Sequence, residues 1–426
     1  MEIHKFGGAS VKDSGSVKNM AGILRKTGPK NKVIVVSAMG KTTNALEKII
    51  ANYFNDRTIL KESIAEVRYF HLKIAAELFG TGPHVVFDKI EAYFEDLITF
   101  LSRNKSPNYD FVYDQVIGFG ELLSTTIISE FLLEENLQNT WIDVRDLLKT
   151  DAVYRGAHVN WDQTQVNIKA AVDPQKLSIV QGFIASDEDN FTTSLGREGS
   201  DYSAAIFAYC LNAESLSIWK DVDGVMNADP KFFENARLLE QISYQEAIEL
   251  AFYGASVIHP KTLQPLQKKE IPLYVKSFFH PEKPGTKVFK PFAVDNLGAL
   301  QHILPQMPCF IVKKNLLLVT LSSLDFSFIV EKNISEIFAL FHQFQIKVGL
   351  IQNSAISFSV CIENKYHTIE KLIANLKSNY KVGYNENVSL YTIRHFTTEV
   401  VESLEQGKQV LLKQTTQKTV QLIVKE

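Results

Sequence analysis

Gly196-Arg197-Glu198-Gly199-Ser200-Asp201 sets two glycines around a cation and an acid, with a second acid two residues further on. Behind it Ala204, Ala205, Phe207, Ala208 and Leu211 recur at helical spacing, and residues 177–184 upstream read as a strand. A strand, a glycine loop and a helix in that order present free backbone N–H groups where an anion can approach closely. Ser200 has the type preferred at a helix N-cap. Arg197 can grip a carboxylate or phosphate in its planar fork, and Asp201 can orient an ammonium group or a metal-bound phosphate. Read alone, the stretch also fits an ordinary capped helix.

Other residues of the same kinds are scattered along the chain. Lys5 ends a short strand and is followed by Gly7, Gly8 and Ser10, a pattern that suits a phosphate contact but also a solvated charge. Ser37 and Thr43 flank Gly40-Lys41-Thr42, which lacks the earlier glycine of a P-loop because Val35 stands there. Their hydroxyls can line a polar site or cap a helix. Glu121 follows Gly118 and Gly120 and can read an amino group or sit on the surface. Lys220-Asp221-Val222-Asp223-Gly224-Val225-Met226 and Asp229-Pro230-Lys231 form a loop beyond a strand, and its spacing is not that of a calcium-binding EF-hand. Position after a core strand favours a nucleotide contact there. His259, just before Pro260, reads as structural or functional alike.

The elements that must hold these residues alternate. Strands at 2–6, 32–37, 140–144, 177–184, 215–219 and 271–278 are separated by helical patterns, which argues for a mainly parallel α/β sheet covered on both faces. Residues 44–103 read as an inserted helical region, and 110–137 as a long helix broken at Gly118 and Gly120. Composition shifts at 281–308, a proline-containing connection. Residues 315–391 then follow a βαββαβ order, ferredoxin-like, and 388–424 begin that order again without completing it. The expected domains are 1–280, a linker at 281–308, 309–387, and a shortened unit at 388–426.

Composition excludes several classes. The chain has 426 residues, 45 Lys+Arg against 48 Asp+Glu, and a net charge of -3, so no strong positive field invites nucleic acid or an anionic membrane. Its three cysteines, Cys210, Cys309 and Cys361, are far apart, which suits a reducing compartment and no metal or disulfide framework. No apolar run reads as a membrane span and no signal-peptide pattern opens the chain, so a cytoplasmic protein is expected.

Taken together these segments resemble aspartokinases, of the amino-acid kinase family. The match runs through Lys5-Phe6-Gly7-Gly8-Ala9-Ser10, Ser37, Thr43, Gly120-Glu121, Thr192 to Asp201, Trp219 to Val225, Asp229-Pro230-Lys231, and Gly254-Ala255 with His259-Pro260-Lys261-Thr262. The resemblance implies a three-layer αβα kinase domain followed by paired ACT domains. It implies phosphorylation of L-aspartate by ATP with Mg²⁺ to give 4-phospho-L-aspartate, the entry to lysine, threonine and methionine. Lys5 would stabilise the transferring phosphoryl group, and Asp201 would orient Lys5 and substrate. Ser37, Thr43, Glu121, Arg197 and Ser200 would bind aspartate, with Arg197 on its α-carboxylate. Lys5, Gly7, Gly8, Ser10, Lys220, Asp221, Met226 and Lys231 would contact ATP; no residue is assigned to a resident metal. A homodimer through the ACT units is expected.

Several positions depart from the family pattern. Ala9 stands where Thr is usual, Glu198 where glycine is common, Lys220 where Thr is usual, and Ser256 where a Lys is often found. Lys220 is expected to replace the charge lost at Ser256. Gly349 and Ala355 stand where lysine-sensing members carry acids, so weak lysine inhibition is expected. The rival readings are a kinase for another amino-acid carboxylate, and a non-catalytic amino-acid sensor built on the ACT units.

Overall fold

The computed structural model describes residues 1–255, 257–294, 300–302, 307–325, 327–363 and 366–425. Ser256 therefore lies outside the described residues. By its contacts the chain divides into two compact units. The first holds Met1–Val225, Leu238–Ile248 and Val257–Ile303, and the second holds Met226–Arg237, Glu249–Ser256 and Leu304–Glu426.

The first unit opens with β1 (Glu2–Phe6), α1 (Ser14–Thr27), β2 (Lys32–Val36), α2 (Thr42–Asn55), α3 (Leu60–Phe79), α4 (Val85–Arg103) and α5 (Tyr109–Glu134). It continues through β3 (Asn139–Ile142), α6 (Val144–Leu147), α7 (Trp161–Ala171), β4 (Leu177–Gln181), the hairpin β5 (Ile184–Ser186) and β6 (Thr192–Ser194), α8 (Gly199–Leu211) and β7 (Ser215–Lys220). After β8 (Gln241–Ser243) and α9 (Tyr244–Tyr253), whose last residues fall in the second unit, come α10 (Pro260–Lys268), β9 (Leu273–Ser277) and β10 (Thr286–Phe289). A small antiparallel pair, β11 (Phe292–Val294) and β12 (Leu300–His302), follows.

The main sheet runs β3-β4-β2-β1-β7-β9-β10-β8. Every pairing from β3 to β9 is parallel, and only β10 turns antiparallel, against β9. β2 reads Lys32-Val-Ile-Val-Val and is buried along its whole length, as a strand covered on both faces must be. Helices α2 to α5 pack on one another, while α7 and α10 pack on α8. Residues 281–308, expected as a connection, contribute β10 to this sheet.

Register decides where the chemistry falls. Phe6 pairs with both Val36 and Trp219, and Val36 pairs with Gln181. The carboxyl ends of β1, β2, β4 and β7 are therefore level, and Gly7, Ser37, Gly182 and Lys220 emerge at one edge. The chain leaves β1 for β2 on one side and has β7 on the other, the switch point at which open α/β sheets bind ligands.

The helical region agrees with its apolar spacing. In α4, Val86, Ile90, Phe94, Leu97 and Leu101 form one buried stripe. Helix α5 differs from expectation, because it runs unbroken through Gly118 and Gly120. A Cβ on Gly118 would sit 3.2 Å from Thr192, and one on Gly120 would sit 3.0 Å from Ala38. The glycines permit close packing rather than a kink. α5 also corrects the reading that no segment could span a membrane: by length and composition it could, and its most apolar window is 83% buried inside the protein.

The second unit is built on one antiparallel sheet, β14-β15-β13-β16-β18-β17. Its elements are β13 (Cys309–Ser323), α11 (Glu331–Gln343), β14 (Val348–Asn353), β15 (Ser357–Glu363), α12 (Tyr366–Lys377), β16 (Tyr380–Arg394), α13 (Thr398–Glu405), β17 (Gln409–Thr415) and β18 (Thr419–Lys425). The last strand of the set expected at 315–391 and the first strand of the one expected at 388–424 are a single strand, β16. Leu316–Ser323 of β13 pairs with β15 and the first half of β16, which closes one ferredoxin-like set. Cys309–Lys313 pairs with Leu390–Arg394 of β16, which in turn pairs with β18. The shortened C-terminal set thus takes its fourth strand from a segment that precedes the first set.

Candidate active site

At the level strand ends a cleft of about 410 Å³ opens, lined by Lys5, Gly8, Ser37, Thr43, Glu121, Arg197, Ser200 and Asp201 among the residues expected from sequence. Four separate stretches bring them there. Lys5 is next to last in β1 with Gly8 just beyond it, Ser37 follows β2 and Thr43 lies in the first turn of α2, the middle of α5 carries Glu121, and the glycine loop with the first turn of α8 carries Arg197, Ser200 and Asp201.

Asp201 is fully buried and sits between two ammonium groups, with Lys5 Nζ at 2.6 Å and Lys220 Nζ at 3.3 Å. Burial opposes ionisation of this carboxyl, and the two cations outweigh it, so Asp201 stays below the usual carboxylate range. Lys220 also donates to the Val257 carbonyl at 2.5 Å. Asp201 thereby fixes the direction of the Lys5 side chain at the end of β1.

Glu121 has the opposite environment. Its Oε1 accepts a long hydrogen bond from the Ala38 N–H at 3.4 Å, and its buried Oε2 has no hydrogen-bond partner. Burial pushes the Glu121 carboxyl up to about 8. An orphaned carboxylate oxygen facing a cleft is a place for a ligand cation.

The glycine loop is held by close approaches. A Cβ on Gly182 would lie 2.6 Å from the Ser200 Cβ, and one on Gly199 would lie 2.6 Å from the Phe183 ring. Helix α8 starts at Gly199, with Glu198 preceding it in the left-handed region at φ 54°. Ser200 is therefore not the N-cap that its type suggested; it lies inside the first turn, and no side chain caps this helix. Ser37 and Thr43 are not caps either, because Lys41 takes the N-cap position of α2 without a side-chain bond. Both hydroxyl residues instead line the cleft.

Gly8 is fixed by a close approach, and the remaining expected residues do not line the cleft. Gly8 approaches the next turn closely, with a built Cβ 2.8 Å from the Ala38 carbonyl, and a Cβ on Gly7 would crowd Lys5 Nζ at 3.3 Å. Ser10 is buried and donates to the Trp219 carbonyl at 3.3 Å. Asp221 is exposed beyond β7. Met226 and Lys231 belong to segment 226–237, which clusters with the second unit.

Sequence reading missed Arg155, Tyr113 and Ser194, which also line the cleft. Arg155 takes a left-handed φ of 64°. Its N–H donates to Asp114 Oδ2 at 2.9 Å, and the same carboxylate accepts from the Ser194 N–H and hydroxyl. Burial pushes the Asp114 carboxyl up to about 6, against those hydrogen bonds. The only local signal was an Arg beside Gly156 in a loop.

A parallel sheet with a switch-point cleft, a buried lysine–aspartate–lysine cluster and a glycine loop feeding a helix defines a class, and the family model agrees. The amino acid kinase family matches residues 1–277, and the chain belongs to that family. It is 28% identical over 401 residues to lysine-sensitive aspartokinase 3 of Escherichia coli, covering 92% of this chain and 86% of that one. It is 31% identical over 300 residues to bifunctional aspartokinase/homoserine dehydrogenase 2 of Arabidopsis thaliana, covering 68% of this chain. The chain spans 32% of that bifunctional enzyme's length. Solved E. coli aspartokinase III, with lysine and aspartate, superposes over all of this chain and 96% of its own, with a TM-score of 0.84 at 26% identity. The same protein with aspartate and ADP gives 0.79 at 25%.

Among the described residues no group of three or more His, Cys, Asp or Glu is gathered to hold a metal ion. Asp201, the ionised acid of the cleft floor, is already occupied by two lysines.

Proposed function

We propose that this protein is an aspartate kinase, transferring the γ-phosphoryl group of Mg·ATP to the side-chain carboxylate of L-aspartate. The observation that carries this reading is the pairing, in one cleft, of a cationic end at Lys5 with an orphaned buried acid at Glu121. An amino acid with a carboxylate side chain fits such a pair: its ammonium meets Glu121 and its reacting carboxylate faces Lys5. Occupancy by an ammonium would also bring Glu121 back to its ionised form.

The chemistry needs no protein base. The attacking oxygen belongs to a carboxylate that is ionised at neutral pH. It forms the new P–O bond as the bond to the departing ADP oxygen breaks, and the products are an acyl phosphate and ADP. What remains for the protein is alignment and charge stabilisation. Lys5, aimed by Asp201, would meet the charge on the transferring group, and the N–H groups at the start of α8 would add to it. Arg197 would hold the α-carboxylate, with Ser37, Thr43 and Ser200 completing the amino-acid site. Gly7, Gly8, Ser10, Lys220, Asp221, Met226 and Lys231 are the proposed nucleotide contacts, and Mg²⁺ enters with ATP.

The likeness to E. coli aspartokinase III, solved with aspartate and with ADP, supports both substrates. The same reading gives the protein the first step towards lysine, threonine and methionine. It also includes a kinase domain at 1–280, ACT regulatory units beyond 309, a homodimer through them, and a cytoplasmic setting. Three buried, free cysteines suit that setting. Lys5→Ala tests the catalytic assignment: it should lose roughly 10²-fold or more in kcat, measured as ADP release with saturating ATP and aspartate. Near-wild-type turnover would overturn the role of Lys5.

A further inference from the structure

Arg155 has no part in the reaction as described, yet it lines the same cleft as Glu121 and Arg197. Several contacts fix it there. Its Nη1 lies 3.2 Å from Asp110 Oδ1, and its guanidinium stacks 4.4 Å from the Tyr113 ring centroid. Tyr113 is itself held, its hydroxyl donating to Glu47 at 2.9 Å. The Arg155 backbone is pinned by Asp114, which is fully buried. The Arg155 carbonyl also lies 3.3 Å from where a Cβ on Gly196 would sit, directly beside Arg197. The loop that carries Arg155, held by the first turns of α5, thus packs its backbone against the glycine loop that carries Arg197, and both arginines line the cleft.

A surface role does not account for this arrangement. The contact with Asp110 is an exposed ion pair, a weak contribution to stability. The left-handed backbone at Arg155 costs more than such a pair returns, and a glycine would take that conformation freely. Non-glycine residues kept in this region concentrate at functional sites. Asp110 engages one guanidinium nitrogen at hydrogen-bond distance, and the side chain remains half exposed, so further N–H donors can meet a ligand.

We propose that Arg155 is a specificity-determining residue that binds the α-carboxylate of the amino-acid substrate together with Arg197. The inference rests on the aspartate reading of the cleft. It divides the substrate's three charges: the ammonium goes to Glu121, the reacting carboxylate to Lys5, and the non-reacting carboxylate to the two arginines. A group bound equally in ground and transition states sets KM and not kcat.

Arg155→Gly is the test, because it deletes the guanidinium and relieves the backbone. Steady-state kinetics of the full chain should show the aspartate KM raised at least fivefold, kcat within threefold of wild type, and an unchanged ATP KM. Arg155→Lys should recover part of the loss. An aspartate KM raised less than fivefold, a larger fall in kcat, or a parallel rise in the ATP KM would overturn the assignment while leaving wild-type aspartate turnover intact. Absence of aspartate turnover in the wild type would instead remove the kinase reading, and this inference with it.

Discussion

Asp201 is a buried anion compensated by two lysines, and that arithmetic predicts what its loss does. Asp201→Asn would leave two ammonium groups side by side without a counter-charge. Breaking such a buried cluster costs about 3–5 kcal/mol, read as a lower urea midpoint, and kcat should fall with it because Lys5 loses its orientation. An unchanged midpoint and turnover would contradict the geometry. Glu121 makes a prediction about pH. Burial pushes its carboxyl up to about 8 in the folded protein, against about 4.5 in the unfolded chain. Across that window the unfolded chain binds fewer protons, so stability falls as pH rises and levels off above about 8. The urea midpoint should therefore drop between pH 6.5 and 8, and Glu121→Gln should flatten the drop; equal slopes would refute the shift. Lys5, Glu121, Arg197 and Asp201 were legible as candidates because the separate stretches that carry them resemble one family's pattern in order. Arg155 was not, since neither its left-handed backbone nor its seat on Tyr113 can be read from a loop with one glycine in it.

The glycine loop and α8 show how an element encodes its own entry. Gly182, Gly199 and the start of the helix must nearly touch, which accounts for the small residues at those positions. Glu198 breaks that pattern by holding a left-handed conformation with a Cβ. Glu198→Gly should stabilise the protein by about 1 kcal/mol and lower the ATP KM by removing a carboxylate from the cleft. A variant no more stable than wild type, measured by urea denaturation, would contradict the strain. The parallel strands and amphipathic helices were legible from periodicity, and α4 with its buried stripe is typical. Helix α5 was misread as broken because a glycine in a sequence looks the same whether it ends a helix or lets one pack closely. Only the distances to Thr192 and Ala38 decide that.

At the scale of the whole molecule, the alternation of elements was enough to foresee a mainly parallel α/β sheet and a ferredoxin-like tail. The strand exchange in that tail was not visible, because β13 serves two sets at once and its first five residues complete a set that begins eighty residues later. Local patterns carry no information on such long-range pairing. Regulation belongs to this scale. Gly349 lies in β14 and exposed Ala355 beyond it, without the acids expected of a lysine sensor. L-Lysine at about 1 mM, ample for a site paired to the ammonium, should leave more than half of the activity; a low-micromolar IC50 would contradict this. The identity of the acceptor carries the proposed function. It is tested most directly by ADP release from Mg·ATP with L-aspartate, L-glutamate, N-acetyl-L-glutamate or no acceptor, with hydroxylamine present to trap an acyl phosphate. Turnover with aspartate alone, accompanied by hydroxamate, is the predicted result. No turnover with aspartate, or hydroxamate formed only with another acceptor, would contradict it.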